Sequence, residues 1–350
     1  MRVAIEATPL TLSSGGLARY TSQISVALAR TFPDDEFFLV SDQPFAMPEP
    51  SPPNLRRGGG PRSAAERRWW LWGLNREAAR LHADVVHGTD FAVPYLPQRP
   101  SVLTLHDLSP WMDPRWHADA ARVRRRTPLL LELGIATMVL AVSEDVRKQA
   151  MERFRIRPDR IRAVPLAASP QFRPVPAPRR APYFLFVGTL EPRKNLPALV
   201  EAWRELQREH AVDLVLAGRR RADAPQICEG PGLRVAGEVP EESLAGLYSG
   251  ALALVYPSLY EGFGLPVLEA MQCGACVIAS HAVAEAGGDA VLYADTPAEL
   301  VQRMRDVLTR PELALEYRVR GSARAREFSW ERTARATREV YVEARRRFAG

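Results

Sequence analysis

Residues 256–280 read YPSLYEGFGLPVLEAMQCGACVIAS. A β-rich run enters this stretch (ALALVYPS, from Ala251), another leaves it (CVIAS, from Cys276), and a short helix lies between them. Strand, helix, strand is the repeating unit of a buried parallel sheet in an α/β protein. The helix is predicted to begin near Pro266, since the first helical N–H has no partner to lose. It is predicted to end at Gly274, which readily takes the left-handed conformation that stops a helix. The N–H groups of Gly264 and Leu265 then point out of the helix start, backed by the positive end of the peptide dipole, and form an anion site. Glu269 lies about one turn inside. Helical side chains lean toward the N-terminus, so its carboxylate is expected to reach the same spot. Glu261 precedes the helix and approaches from the other side. A carboxylate beside a phosphate site commonly grips sugar hydroxyls. Two of them suggest a ligand in which two sugars flank a phosphate, as in a nucleotide-sugar.

Working outward, β-rich runs alternate with helical segments. VAIEA, FFLVS, DVVHG, SVLTLHD, MVLAVS and IRAVPL start near Val3, Phe37, Asp84, Ser101, Met138 and Ile161. YFLFVG, DLVLAG, LRVAGE, ALALVYPS, CVIAS and AVLYAD start near Tyr183, Asp213, Leu233, Ala251, Cys276 and Ala290. Runs this apolar are expected to be parallel strands buried on both faces, so the fold class is α/β. Between the two series, five prolines from Pro170 to Pro182 make a stiff connector. The chain is thereby read as residues 1–172 and 173–330, with the last helix, about 331–350, packing back on the first domain. Residues 44–61 (PFAMPEPSPPNLRRGGGP) read as a mobile loop, and after Asp295 the chain becomes helical and arginine-rich. No period of 20–50 residues repeats, which argues against a solenoid.

The 350 residues are 46% hydrophobic, ample for two cores, and the net charge of +6 favours anionic partners. All but Lys148 and Lys194 of the 47 basic residues are arginine. The N-terminal MRVAIEATPL reads as a first strand without signal-peptide architecture. The best apolar run, Leu133 to Val142, is too short to span a bilayer. With three cysteines, these features point to a reducing, cytoplasmic location.

A second site candidate is FLFVGTLEPRKNLPALVEAW, from Phe184 to Trp203. A strand ends at Gly188, a loop carries Arg193 and Lys194, and a helix follows with Leu196, Leu199, Val200, Trp203 and Leu206 on its buried face. Loops after the C-terminal ends of parallel strands bind ligands in open α/β sheets. An isolated Arg-Lys pair is most simply a solvated turn. The acidic motif described first tips the reading toward two cations that bracket a pyrophosphate.

Together these segments resemble the retaining glycosyltransferases of family 4. That family has the GT-B architecture of two facing Rossmann-like domains with a deep interdomain cleft. The resemblance extends over GGLARYTSQI from Gly15, LTLHDLSP from Leu103, AVSEDVRKQ from Ala141, VPLAASPQF from Val164, LVLAGR from Leu214 and EAGGDAVLY from Glu285. GTLEPRKNLPALVEAW and the LARYT start are most similar to the O-antigen mannosyltransferase branch. The resemblance implies that Glu261 holds donor-sugar hydroxyls, with the N–H groups of Gly262, Phe263 and Gly264, and that Glu269 holds the ribose. Arg193 and Lys194 would neutralise the diphosphate. Gly16 would let backbone approach the donor from the first domain, and His106 would lie beside the transferring sugar. Base recognition depends on loops such as that around Val239. Ala18 stands where the branch usually has a second glycine. SHAVAEAGGDA is about three residues shorter than usual, which leaves Glu285 without an assigned role.

The remaining motifs read more plainly. His82, His87, His117, His210 and His281 are expected to be structural. Cys273 and Cys276 form a CxxC, which would need two further ligands to hold zinc; packing at a helix end is the expected role. No Asp-x-Asp occurs, which argues against a divalent-metal clamp and leaves no cofactor expected. RRWWLWGLNREAARLH, from Arg67, has two readings: a basic aromatic face on an anionic membrane, extended by Arg122, Arg124, Arg125 and Arg126, or a core helix. No nucleic-acid module accompanies these charges.

The expected function is metal-independent, retaining transfer of a hexosyl group from a nucleotide-sugar, GDP-mannose by branch resemblance, to a saccharide or lipid-linked polysaccharide acceptor. A UDP-hexose donor, a nucleotide-sugar epimerase and a non-catalytic nucleotide-sugar-binding subunit are the alternatives.

Overall fold

The computed structural model describes residues 1–12, 15–117, 120–176 and 181–349. Residues 177–180 of the proline-rich connector lie outside the described residues. The chain forms two compact units, Met1–Leu166 with Trp330–Gly350, and Ala167–Ser329.

The first unit carries strands β1 (Arg2–Glu6), β2 (Glu36–Val40), β3 (Leu55–Arg57), β4 (Val85–Gly88), β5 (Ser101–Leu105), β6 (Met138–Ala141) and β7 (Ile161–Ala163). They pair in parallel in the order β3-β2-β1-β4-β5-β6-β7. The second unit carries β8 (Tyr183–Val187), β9 (Asp213–Ala217), β10 (Leu233–Gly237), β11 (Ala253–Tyr256), β12 (Cys276–Ala279) and β13 (Leu292–Tyr293), in the order β10-β9-β8-β11-β12-β13. All twelve apolar runs are strands, and most of their residues are buried on both sheet faces.

One strand escaped the sequence reading. Leu55–Arg57 lies within the stretch taken for a mobile loop, yet it adds to the sheet edge, with Phe37 opposite Leu55. Only Leu55 is buried, and Arg56 and Arg57 face solvent. One apolar residue amid prolines leaves no period to detect.

The helix Trp330–Ala349 belongs to the first unit. Tyr341 Oη lies 2.7 Å from His87 Nδ1 on β4, Arg338 Nε donates to Asp35 at 2.6 Å, and Thr333 donates to the Pro165 carbonyl at 2.8 Å. His87 is fully buried, and its Nε2 lies 2.8 Å from Thr104 Oγ1. Burial holds its imidazole down to a pKa of about 3, so it is a neutral structural group, as expected.

The tryptophan-rich segment is a π-helical turn, Trp69–Gly73, leading into the helix Leu74–Arg80. Trp69 packs into the core against Phe38, Val40 and Val86, while Arg126 lies over the Trp70 ring at 5.4 Å. Of the three tryptophans only Trp72 is exposed, so the segment is mainly a core element. No helix among the described residues is long and apolar enough to cross a membrane.

Candidate active site

In the second sheet, β8 is flanked by β9 on one side and β11 on the other, so the chain's path reverses between β8 and β11. Crevices beyond the strand ends at such a switch point are where open α/β sheets bind ligands. The loop after β8 carries Arg193 and Lys194 on a tight turn, Pro192–Lys194, closed by Asn195 at φ 54°. The loop after β11 carries Glu261 and ends in the helix Leu265–Gln272. The Leu259 N–H donates to the Arg193 carbonyl at 2.9 Å, which fastens one loop to the other.

This seam buries a network of charges. Lys194 Nζ donates to Glu261 Oε1 at 2.5 Å and to Tyr256 Oη at 2.6 Å. Arg193 Nη1 donates to the Tyr260 carbonyl at 2.5 Å and lies 3.1 Å from Glu261 Oε2. Its Nη2 donates to Glu191 Oε1 at 2.7 Å, and Glu191 Oε2 accepts from Arg221 at 2.6 Å. Arg193 and Lys194 are only 8% and 5% exposed, so water screens these pairs little. Burial alone would raise the Glu261 carboxyl, but the adjacent Arg193 and Lys194 hold it down at about 2. Burial, with Arg193 beside it, lowers Lys194 below the ordinary lysine range.

The helix start is built as the sequence suggested, displaced by one residue: Leu265 is its first position and Pro266 lies in the first turn. Gly264 holds φ at 111°, and a Cβ there would lie 2.9 Å from Val283 Cγ1. Conformation and space therefore both demand glycine. Phe263 is buried edge-on to Phe328 at 5.6 Å, anchoring the turn, while Gly262 and Leu265 are half-buried. The N–H of Leu265, at the first helical position, has no intrahelical acceptor.

Glu269 is fully buried, and Tyr248 Oη donates to its Oε2 at 2.9 Å. Val267 to Met271 are all buried, and Glu269 shares their enclosure between neighbouring elements. Val239 follows β10 and is half-buried. Cys273 and Cys276 are buried, and burial pushes each thiol up to about 12, in keeping with packing.

His106 and Gly16 lie in the first unit. His106 follows β5, and its Nε2 donates to the Thr89 carbonyl at 2.7 Å, which leaves Nδ1 as the acceptor. Its ring meets Tyr20 edge-on at 4.7 Å, and burial lowers its pKa despite Asp90 and Asp107 nearby. Gly16 opens the helix Gly16–Thr31 in the loop after β1, and nothing lies within 4 Å of a Cβ built on it.

Arg193, Lys194 and Glu261 thus come together with three residues the sequence reading passed over: Glu191, Tyr256 and Arg221. Glu191 stood in the LEPRKN motif and Tyr256 at the head of the quoted stretch. Arg221, in an arginine-rich chain, carried no signal.

Two family models match the chain: "Glycosyltransferase Family 4" over residues 14–172 and "Glycosyl transferases group 1" over residues 181–310. The chain is 36% identical over 294 residues to the O-antigen chain mannosyltransferase B of Escherichia coli, an alignment covering 75% of this chain and 76% of that protein. Its fold matches sucrose-phosphate synthase from Thermosynechococcus elongatus with a TM-score of 0.78 at 21% identity, over 99% of both chains. It also matches Anabaena HepE, solved with UDP and glucose, with a TM-score of 0.70 at 14% identity, over 97% of this chain and 98% of that one.

Proposed function

Because the chain belongs to the family 4 glycosyltransferases, we propose that it transfers a mannosyl group from GDP-mannose to a saccharide or lipid-linked polysaccharide acceptor with retention at the anomeric carbon. The observation that carries this reading is the switch-point seam. Two buried cations and a glycine-capped helix start converge beside one carboxylate, Glu261.

In the proposed reaction the bond from the anomeric carbon to the diphosphate oxygen breaks as the acceptor oxygen bonds to that carbon on the same face. The acceptor proton passes to the departing phosphate. Arg193, Lys194 and the helix start stabilise the charge that develops on the leaving diphosphate, a role in which one donor is typically worth ~10²–10³ in rate. Glu261, with the N–H groups of Gly262, Phe263 and Gly264, would orient the hexose. Glu269 is assigned to the ribose and Val239 to the base. His106, neutral and with Nδ1 as acceptor, is suited to a sugar hydroxyl. The sequence has no Asp-x-Asp motif, so activity is proposed to need no metal, and the reaction is proposed to take place in the cytoplasm. Membrane contact through Arg67, Arg68, Trp72 and Arg122 is part of the proposal, since all four are exposed.

Mannose is favoured by the mannosyltransferase relative. A UDP-hexose is the second reading, favoured by the match to a structure solved with UDP and glucose. Thermal-shift binding of GDP, UDP and ADP and their sugar conjugates in EDTA, followed by anomeric NMR of the product, tests both. Conversion of donor without acceptor would mark an epimerase, and binding without conversion a non-catalytic subunit.

A further inference from the structure

We propose that Glu191 is a positioning residue that couples the diphosphate cations to the loop after β9 through Arg221. The inference rests on the glycosyltransferase reading of the same seam and adds a residue pair to it.

The two loops are joined first by backbone. The Leu190 N–H donates to the Arg219 carbonyl at 2.9 Å, and the Arg221 N–H donates back to the Leu190 carbonyl at 3.2 Å. A Cβ on Gly218 would stand 1.9 Å from the Gly188 carbonyl oxygen, so the loops touch main chain to main chain. This contact delivers Arg221 to Glu191. The carboxylate then serves one cation per oxygen: Arg193 on Oε1 and Arg221 on Oε2. Arg221 extends its other arm to Asp223 at 2.7 Å, in its own loop.

Glu191 is 5% exposed, and a buried carboxylate between arginines is a poor device for stability alone, since its desolvation offsets most of the attraction. What the arrangement does provide is direction. The Arg193 guanidinium is pinned through Nη2 to Glu191 and through Nη1 to the Tyr260 carbonyl and Glu261. Its plane is therefore fixed by three groups from both loops of the switch point. Arg193 acts on the diphosphate, and Glu191 with Arg221 acts on Arg193. A displaced cation loses charge-assisted contacts that depend on geometry.

The test is a double-mutant cycle read by calorimetric binding of the free nucleoside diphosphate that wild type prefers. Glu191→Gln keeps the shape of the side chain, and Arg221→Gln removes the anchor. Each single variant is expected to weaken Kd about tenfold, the scale of one charge-assisted hydrogen bond. The double variant is expected to lose no more than either single one, because both break the same bridge. Donor KM should rise in parallel with Kd while acceptor KM stays put, a split that general loosening of the fold would not give. Glu191→Asp, which keeps the charge, should recover part of the loss. Independent, additive losses would overturn the bridge, as would wild-type Kd in Glu191→Gln while Lys194→Ala binds weakly. Wild-type Kd in Lys194→Ala as well would instead sink the reading of the seam as a diphosphate site.

Discussion

Lys194 and Glu261 are each other's closest charged partner: the ammonium donates to Oε1 at 2.5 Å, with both side chains under a tenth exposed. One residue comes from the loop after β8 and the other from the loop after β11, so the pair closes the switch point electrostatically. A diphosphate drawn to Lys194 meets a cation that already has a counterion. On the proposed reading of the seam as a diphosphate site, binding is an exchange of anions around fixed cations, and the next two predictions follow from it.

Lys194→Ala should lower kcat by about 10²–10³, the cost of removing a preorganised donor. It should reduce stability by only about 1–3 kcal/mol, since Arg193 still compensates Glu261. Steady-state kinetics and urea denaturation on one preparation check both. A near-normal kcat would remove Lys194 from the mechanism.

Glu261→Gln should bind free nucleoside diphosphate more tightly, by about tenfold for one lost competing charge pair, and yet turn over more slowly. Isothermal titration of GDP and UDP against both proteins measures the first part. Weaker binding by the variant would show that Glu261 supports the cations rather than competing for them.

Gly264→Ala must force a side chain into φ 111° and to within 2.9 Å of Val283. A cost of about 1–3 kcal/mol is expected from the backbone strain, with loss of nucleotide affinity because the helix start moves. A fully stable variant with unchanged affinity would mean that the turn can be rebuilt without harm.

In the first unit, Glu6 is 1% exposed. Burial pushes its carboxyl up to about 8, with Asp90 and Asp42 reinforcing the shift and hydrogen bonds from Thr8 opposing it. The folded pKa lies above the ordinary 4.5. The folded state thus keeps a proton that the unfolded state releases, and this contribution is lost as pH rises. Stability should fall by about 1.4 kcal/mol per pH unit between pH 4.5 and 8 from this group. Glu6→Gln should flatten that slope when Tm is followed across the range, and parallel profiles would place Glu6 in an ordinary environment.

The strands were legible because a strand buried on both faces must be apolar throughout, and YFLFV or CVIA has no other reading. Leu55–Arg57 was hidden because an edge strand half open to water needs only one apolar residue. At the site, Arg193, Lys194 and Glu261 were visible as charges beside glycine and proline punctuation in loops that follow apolar strands. Which groups they pair with was not, since a linear sequence does not say that Glu191 and Arg221 meet across two loops. Glu269 likewise has a partner that the sequence did not name, since Tyr248, twenty-one residues earlier, donates to its carboxylate.

The bond between His87 and Tyr341 joins residues 254 positions apart. When a ribosome has reached Ser329, every residue of the second unit exists, while the first still lacks the helix that covers β4, β5 and β6. The first unit therefore gains its last helix only after every residue of the second unit has been made. Domains commonly fold in order of synthesis; here the order of completion is inverted.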